Sequence, residues 1–174
     1  MDFESPRNTD RPLQYHALPP GSTPLPRIRL VHVELAGNPV ETSPITLPEQ
    51  AARVLCEFIG NRDRECFVTM HLDARNRALS VELVSVGTLV ASLVHPREVF
   101  KAATLQNAAA IICGHNHPSG ELTPSADDLA IYQRLKAAGD LVGILVLDFL
   151  IVGGGQWRQV GSGQDTSGHR RSGA

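Results

Sequence analysis

The chain is predicted to be α/β (α+β), a mixed β-sheet flanked by helices, and three observations lead there. Short runs with the alternation of strands are interleaved with longer runs whose apolar residues recur at helical spacing. Two strand-like runs, Cys66 to Leu72 and Ala78 to Val86, are separated by Asp73-Ala74-Arg75-Asn76-Arg77, the composition of a hairpin turn. The apolar run Ala108 to Gly114 follows a helical stretch directly and is short enough for a buried strand.

In chain order, residues 1–26 carry Pro6, Pro12, Pro19, Pro20, Pro24 and Pro26 with little apolar content, and read as a disordered tail. The domain is expected over 27–160. Arg27 to Leu35 has the β-branched content of a strand, ended by Gly37-Asn38-Pro39. Pro48 opens a helix with Ala51, Val54, Leu55, Phe58 and Ile59 at helical spacing, and Gly60 closes it. The hairpin follows, then a strand from Leu89 to Val94 after Gly87. Pro96 starts a helix to about Asn107, and the buried strand ends at His115. A second long helix runs from Ser125 to Ala138, with Leu129, Ile131, Tyr132 and Leu135 on its apolar side and Gly139 past its end. Gly143 to Leu147, Phe149 to Val152 and Gln156 to Val160 complete a sheet of about seven strands, the last two joined by Gly153-Gly154-Gly155. Residues 161–174 are Gly, Ser, Arg and Gln without apolar periodicity, a second tail in which His169 is no ligand.

Bulk properties exclude several classes. At 174 residues the chain suits one domain burying roughly two-thirds of its unfolded surface. Sixteen Lys and Arg against 18 Asp and Glu leave a formal charge of -2, so no field steers nucleic acid or an anionic membrane. No apolar run approaches the ~20 residues of a membrane span, and the N-terminus lacks a secretory pattern, so the cytoplasm is the expected compartment. Cys56, Cys66 and Cys113 are odd in number and sit in apolar segments, as reduced small hydrophobes do.

The chemistry is concentrated in His115-Asn116-His117, Ser125 and Asp128. Two imidazoles, a hydroxyl and a carboxylate within this short stretch are the ligand inventory of a mononuclear zinc site. Histidines at i and i+2 share a face only on extended backbone. Pro118, Ser119 and Gly120 then turn the chain, with Gly120 expected at positive φ. Thr123 is placed to cap a helix with Pro124 at its first position. Ser125 and Asp128 share one face of that helix, although Ser-x-x-Asp is also a capping-box variant with Ser125 as the cap. Asn116 points away from the pair and reads as structural, its amide holding the Pro118 to Gly120 turn. His95 reads as a strand-end histidine packing on the next helix, His32 and His71 as ordinary sheet residues, and Arg97-Glu98 as a solvated first turn.

These residues, together with Asp73 to Arg77, Val86-Gly87-Thr88-Leu89, His95-Pro96-Arg97-Glu98-Val99 and Thr123-Pro124-Ser125, resemble the RadC-like family of JAB/JAMM (MPN) domains from about Leu47 to Val160. That family has an upstream glutamate, then H-x-H, seven residues, serine, two residues and aspartate. Pro118 to Pro124 and Ala126-Asp127 reproduce both spacings. Two features depart from the pattern. The Pro-rich tail does not supply the helix-hairpin-helix region of longer members, and Asp148-Phe149 stands where many members have histidine after the aspartate.

The resemblance implies a JAB/MPN (cytidine-deaminase-like) architecture binding one zinc through His115, His117 and Asp128. The activity implied is hydrolysis of a peptide or isopeptide bond in a protein or peptide substrate. Ser125 would donate to the oxyanion, and a glutamate would be the general base. Among Glu57, Glu65, Glu82 and Glu98, the choice is Glu65, which stands just before the strand Cys66 to Leu72 after a polar turn, the position of the family glutamate. Two other readings stand beside this one. One is a non-catalytic metal-binding interaction module. The other, an accessory role in DNA repair, ranks last because no basic patch is present. Homo-oligomers through edge strands remain open.

Overall fold

The computed structural model describes residues 43–87, 94–161 and 167–169. Helix α1 (Pro48–Ile59) starts at a proline that needs no amide partner, and the Gln50 side chain accepts from the Leu47 N–H at 3.0 Å. Strands β1 (Cys66–Leu72) and β2 (Ala78–Val86) form a hairpin. The Asp73 carboxylate accepts from the N–H groups of Arg75 and Arg77, and Asn76 takes a left-handed φ of 59°. Helix α2 (Pro96–Leu105) is capped by His95, whose Nδ1 accepts from the Arg97 N–H at 3.1 Å. Strand β3 (Ala110–Asn116), helix α3 (Ala126–Val142) and strands β4 (Leu145–Gly153), β5 (Gln156–Gln159) and β6 (Ser167–His169) complete the described chain.

The sheet runs β2-β1-β3-β4-β5-β6. Only β3 and β4 are parallel, because α3 carries the chain back between them. The expected mixed sheet flanked by helices is what the residues build. Its two faces have separate cores. Val68, Met70, Ile112, Leu150 and Val152 lie under α1, while Phe67, Ile111, Cys113, Phe149 and Ile151 lie under α2 and α3. Alternation within each strand therefore decides which layer a side chain meets. Among the described residues no helix is long and apolar enough to cross a membrane. All three cysteines are buried and form no disulfide.

Several expectations change. The second long helix does not stop at Ala138 but continues to Val142, where Gly143 caps it at φ 74°. Gly139 sits inside it because a Cβ there would lie 2.5 Å from the Ile144 carbonyl oxygen. The two late strands are one, β4, and Asp148 follows a bulge in which Ile111 and Ile112 pair with Val146 and Asp148. The C-terminal stretch read as tail contributes β6, which pairs with β5. His71 is no ordinary sheet residue. It is fully buried, contacting Ser80 at 2.9 Å, Gln106 at 3.1 Å and Thr69 at 3.1 Å, and burial lowers its pKa to about 4. The N-terminal tail, the strand Arg27 to Leu35 and all but Val94 of the strand Leu89 to Val94 fall outside the described residues.

Asp148 is the buried acid beside the bulge. Its Oδ1 accepts from the Phe149 N–H at 2.8 Å, and Gln159 also bonds to it, but burial outweighs both and pushes its pKa from 3.8 up to about 6. A carboxyl whose pKa is raised on folding adds stability below its unfolded pKa and loses it as the pH rises through the folded value. Asp148→Asn keeps an acceptor for Phe149 and removes the charge. It should raise stability at pH 8 by on the order of 2 kcal/mol and change it little at pH 4, in thermal melts of the two proteins side by side.

Candidate metal centre

The cleft forms where β3 ends and α3 begins, outside the carboxyl end of a parallel strand pair. His115 is 1% exposed, and its ring packs on Phe149 with centroids 5.3 Å apart. His117 stands one residue beyond the strand, where its N–H donates to the Val152 carbonyl at 3.0 Å and extends the ladder. The two imidazoles therefore share a side, with centroids 4.6 Å apart. A tight turn follows, closed by the Gly120 N–H on the His117 carbonyl at 2.9 Å, with Gly120 at the expected positive φ of 80°. The His117 Nδ1 donates to the Glu121 carbonyl, which leaves Nε2 with its lone pair toward Asp128.

Both readings of Ser-x-x-Asp meet in one structure. Ser125, not Thr123, caps α3, and its Oγ accepts from the Asp128 N–H at 3.1 Å. The Ser125 N–H and hydroxyl each donate to Asp128 Oδ2 at 2.7 Å, closing the box. Thr123 instead donates its N–H and hydroxyl to the Glu121 carboxylate. The box holds Asp128 in one rotamer, with Oδ1 3.3 Å from His115 Nε2 and Oδ2 3.9 Å from His117 Nε2. One ligand-capable atom from each of His115, His117 and Asp128 lies within 4.8 Å of the others.

Burial lowers the His115 pKa more than Asp128 raises it, so the ring is neutral at pH 7 and carries a lone pair. Both its ring nitrogens are buried without a hydrogen-bond partner, since the approach to Asp128 lacks hydrogen-bond geometry. An unsatisfied buried polar group costs about 1–3 kcal/mol, and a cation accepting the lone pair would offset that. The donor set fits a metal ion: two imidazoles and a carboxyl group converge with their donor atoms toward one another.

Glu65 reaches the same cleft. Phe67 pairs with His115 across antiparallel β1 and β3, so continuing the register brings Glu65 opposite His117 and on the face of Phe67. It lines a cleft of about 290 Å³ with His115, His117, Ser125 and Asp128. The other three candidates lie elsewhere: Glu57 is exposed on α1, Glu82 is 3.9 Å from His71, and Glu98 pairs with Lys101 at 2.9 Å. Glu121 also lines the cleft, with its carboxylate accepting from the Thr123 N–H and hydroxyl.

Three contributors escaped the sequence reading. Asn116 is structural, as expected, but holds the Arg62 to Cys66 segment rather than the Pro118 to Gly120 turn. Phe149, at the position where the family pattern has histidine, forms an apolar wall against His115. Gly153 lets β4 approach the turn, since a Cβ there would lie 2.9 Å from the His117 carbonyl oxygen and 3.2 Å from the Gly120 Cα. Strand alternation points to Phe149, whereas no local pattern marks Gly153. Gly153→Ala should displace the His117 turn and weaken any metal binding at the site by about 10-fold or more, the scale for disturbing the groups that orient a ligand, while a competing chelator reads the affinity.

A family model described as a RadC-like JAB domain matches residues 45–162. A UPF0758 protein of Desulforudis audaxviator is 50% identical over 119 residues, 68% of this chain and 52% of that protein. Its counterpart in Finegoldia magna is 51% identical over 105 residues, covering 60% and 47% of the two chains. One from Methanosarcina mazei is 41% identical over 113 residues, covering 65% and 49%. The chain spans about half the length of the curated relatives it matches. Because the match takes in α1 to β5 and every residue bordering the cleft, the chain belongs to the RadC-like JAB domain family.

Proposed function

We propose that this chain is a zinc-dependent hydrolase of peptide or isopeptide bonds. One observation carries the reading: besides Glu121, whose carboxylate accepts from Thr123, a further carboxylate, Glu65, borders the cleft in which His115, His117 and Asp128 bring their donor atoms together. A purely structural metal site has no use for an extra carboxylate beside it, whereas hydrolysis needs a base. His115, His117 and Asp128 would hold the ion, and two imidazoles with one carboxylate suit zinc better than calcium or magnesium. When bound, the ion supplies Lewis acidity, polarising a carbonyl and making nearby water more acidic. Glu65 would take the proton from the attacking water and return it to the leaving amine. The Ser125 hydroxyl donates its hydrogen bond to Asp128 in this structure, so it must rotate to donate to an oxyanion.

Metal analysis of the full chain, beside a mass-spectrometric cleavage screen over peptides and isopeptides, tests the proposal. One zinc per chain and cleavage of at least one library member are expected. His117→Ala should lose the metal, and Glu65→Gln should keep it while turnover drops about 10²-fold or more. Near-normal turnover in Glu65→Gln would remove Glu65 as the base. Zinc without any cleavage would favour the metal-binding interaction module instead.

Ser125→Ala should keep zinc and have two effects. Loss of the cap should lower stability by about 1 kcal/mol, measured by melting. Turnover should fall by roughly 10²-fold if the hydroxyl serves the oxyanion, a drop that loss of the cap alone would not produce.

A further inference from the structure

We infer that Asn116 is a positioning residue that holds Glu65 at the cleft. Its consequence for catalysis rests on the hydrolase reading above, while its geometry does not. Asn116 is 1% exposed, and its side chain lies on the side of β3 opposite the imidazoles. Its Oδ1 accepts from the Cys66 N–H at 2.8 Å, and its Nδ2 donates to the Arg64 carbonyl at 3.0 Å and the Arg62 carbonyl at 3.2 Å. These backbone groups bracket Glu65 in the chain.

The regular ladder between β1 and β3 ends at Phe67 opposite His115, and beyond it the strand ends still have to be joined. The Asn116 amide takes over that task. Arg62, Asp63 and Arg64 are exposed and bury no apolar side chain, so the buried Cys66 and the Arg62 N–H on the Ile59 carbonyl anchor only the two ends of the segment. On its far side the Glu65 carbonyl accepts from the Gly87 N–H at 2.9 Å. The Glu65 backbone is thereby held between the end of β2 and the amide of Asn116. Asparagine suits the position because a short side chain must offer one acceptor and two donors at once, which aspartate and leucine cannot. Asn116 also sits between His115 and His117, so a shift of the strand end carries base and ligands together. A general base works only within about 2.6–3.2 Å of the atom that carries the proton it takes, so the position of the Glu65 backbone matters to the reaction.

Asn116→Ala in the full chain tests the inference, with Asn116→Asp as an isosteric second variant should the first fail to fold. Aspartate keeps the acceptor for Cys66 and loses both donors. Zinc stoichiometry should stay at the wild-type value. Amide hydrogen exchange over residues 62–66 should accelerate about 10-fold or more, while the centre of β3, Ile111 to Cys113, keeps its wild-type protection. On a peptide cleaved in the screen, kcat should fall about 10-fold with KM little changed, and adding the substitution to Glu65→Gln should cost nothing further. Wild-type protection of residues 62–66, or losses that multiply in the double variant, would overturn the inference. If the wild-type protein cleaves no peptide, the hydrolase reading fails alone, and the exchange measurement still decides whether Asn116 holds the Glu65 segment.

Discussion

Ladder pairs from Phe67 opposite His115 to Leu72 opposite Ala110 join β1 to β3, and the arrangement of the cleft follows from them. Antiparallel pairing brings the start of one strand to the end of the other, so the residue before β1 meets the residues after β3. The period of two then sends Glu65, Phe67 and His115 to the α2 and α3 layer and Asn116 to the α1 layer. A slip of one residue would reverse both assignments and bury a carboxylate among the apolar residues under α1. Buried side chains on both faces of β1 and β3 penalise such a slip heavily.

The second constraint is electrostatic. Asp128 and His115 are removed from water at the base of the cleft, where an isolated charge is costly. The α3 capping box offsets that cost for Asp128 by supplying the Ser125 N–H and hydroxyl, and the positive end of the helix favours the carboxylate as well. His115 meets the same desolvation by remaining neutral. That suits metal binding, because a divalent cation takes the lone pair of a neutral imidazole. A local helix-start motif and a ligand are thus the same atoms, which is why Ser-x-x-Asp read alone was ambiguous.

The mixed sheet, the hairpin, α1 and the strand ending in the histidine pair were legible because alternation, helical spacing and turn residues are local signals. The H-x-H and Ser-x-x-Asp spacing was legible for the same reason, since each pair lies within one element or at its end. The end of α3 was misread because Gly139, ordinarily a stop signal, is retained there to let Ile144 approach the helix. The break at Asp148 was misread because a bulge carries the polar composition of a turn without ending the strand.

By itself, the sequence determined which side chains could act as ligands and on which kind of backbone they would stand, since extended and helical periods dictate what shares a face. Tertiary structure decided what those local patterns could not reach. It brought Glu65, already picked out by the resemblance, to the cleft through strand pairing, directed the Asn116 amide to the Arg62 to Cys66 segment, and required a residue without a side chain at Gly153. Each of these depends on which distant backbone lies alongside. That neighbour is chosen by burial over the whole sheet rather than by any short run of residues.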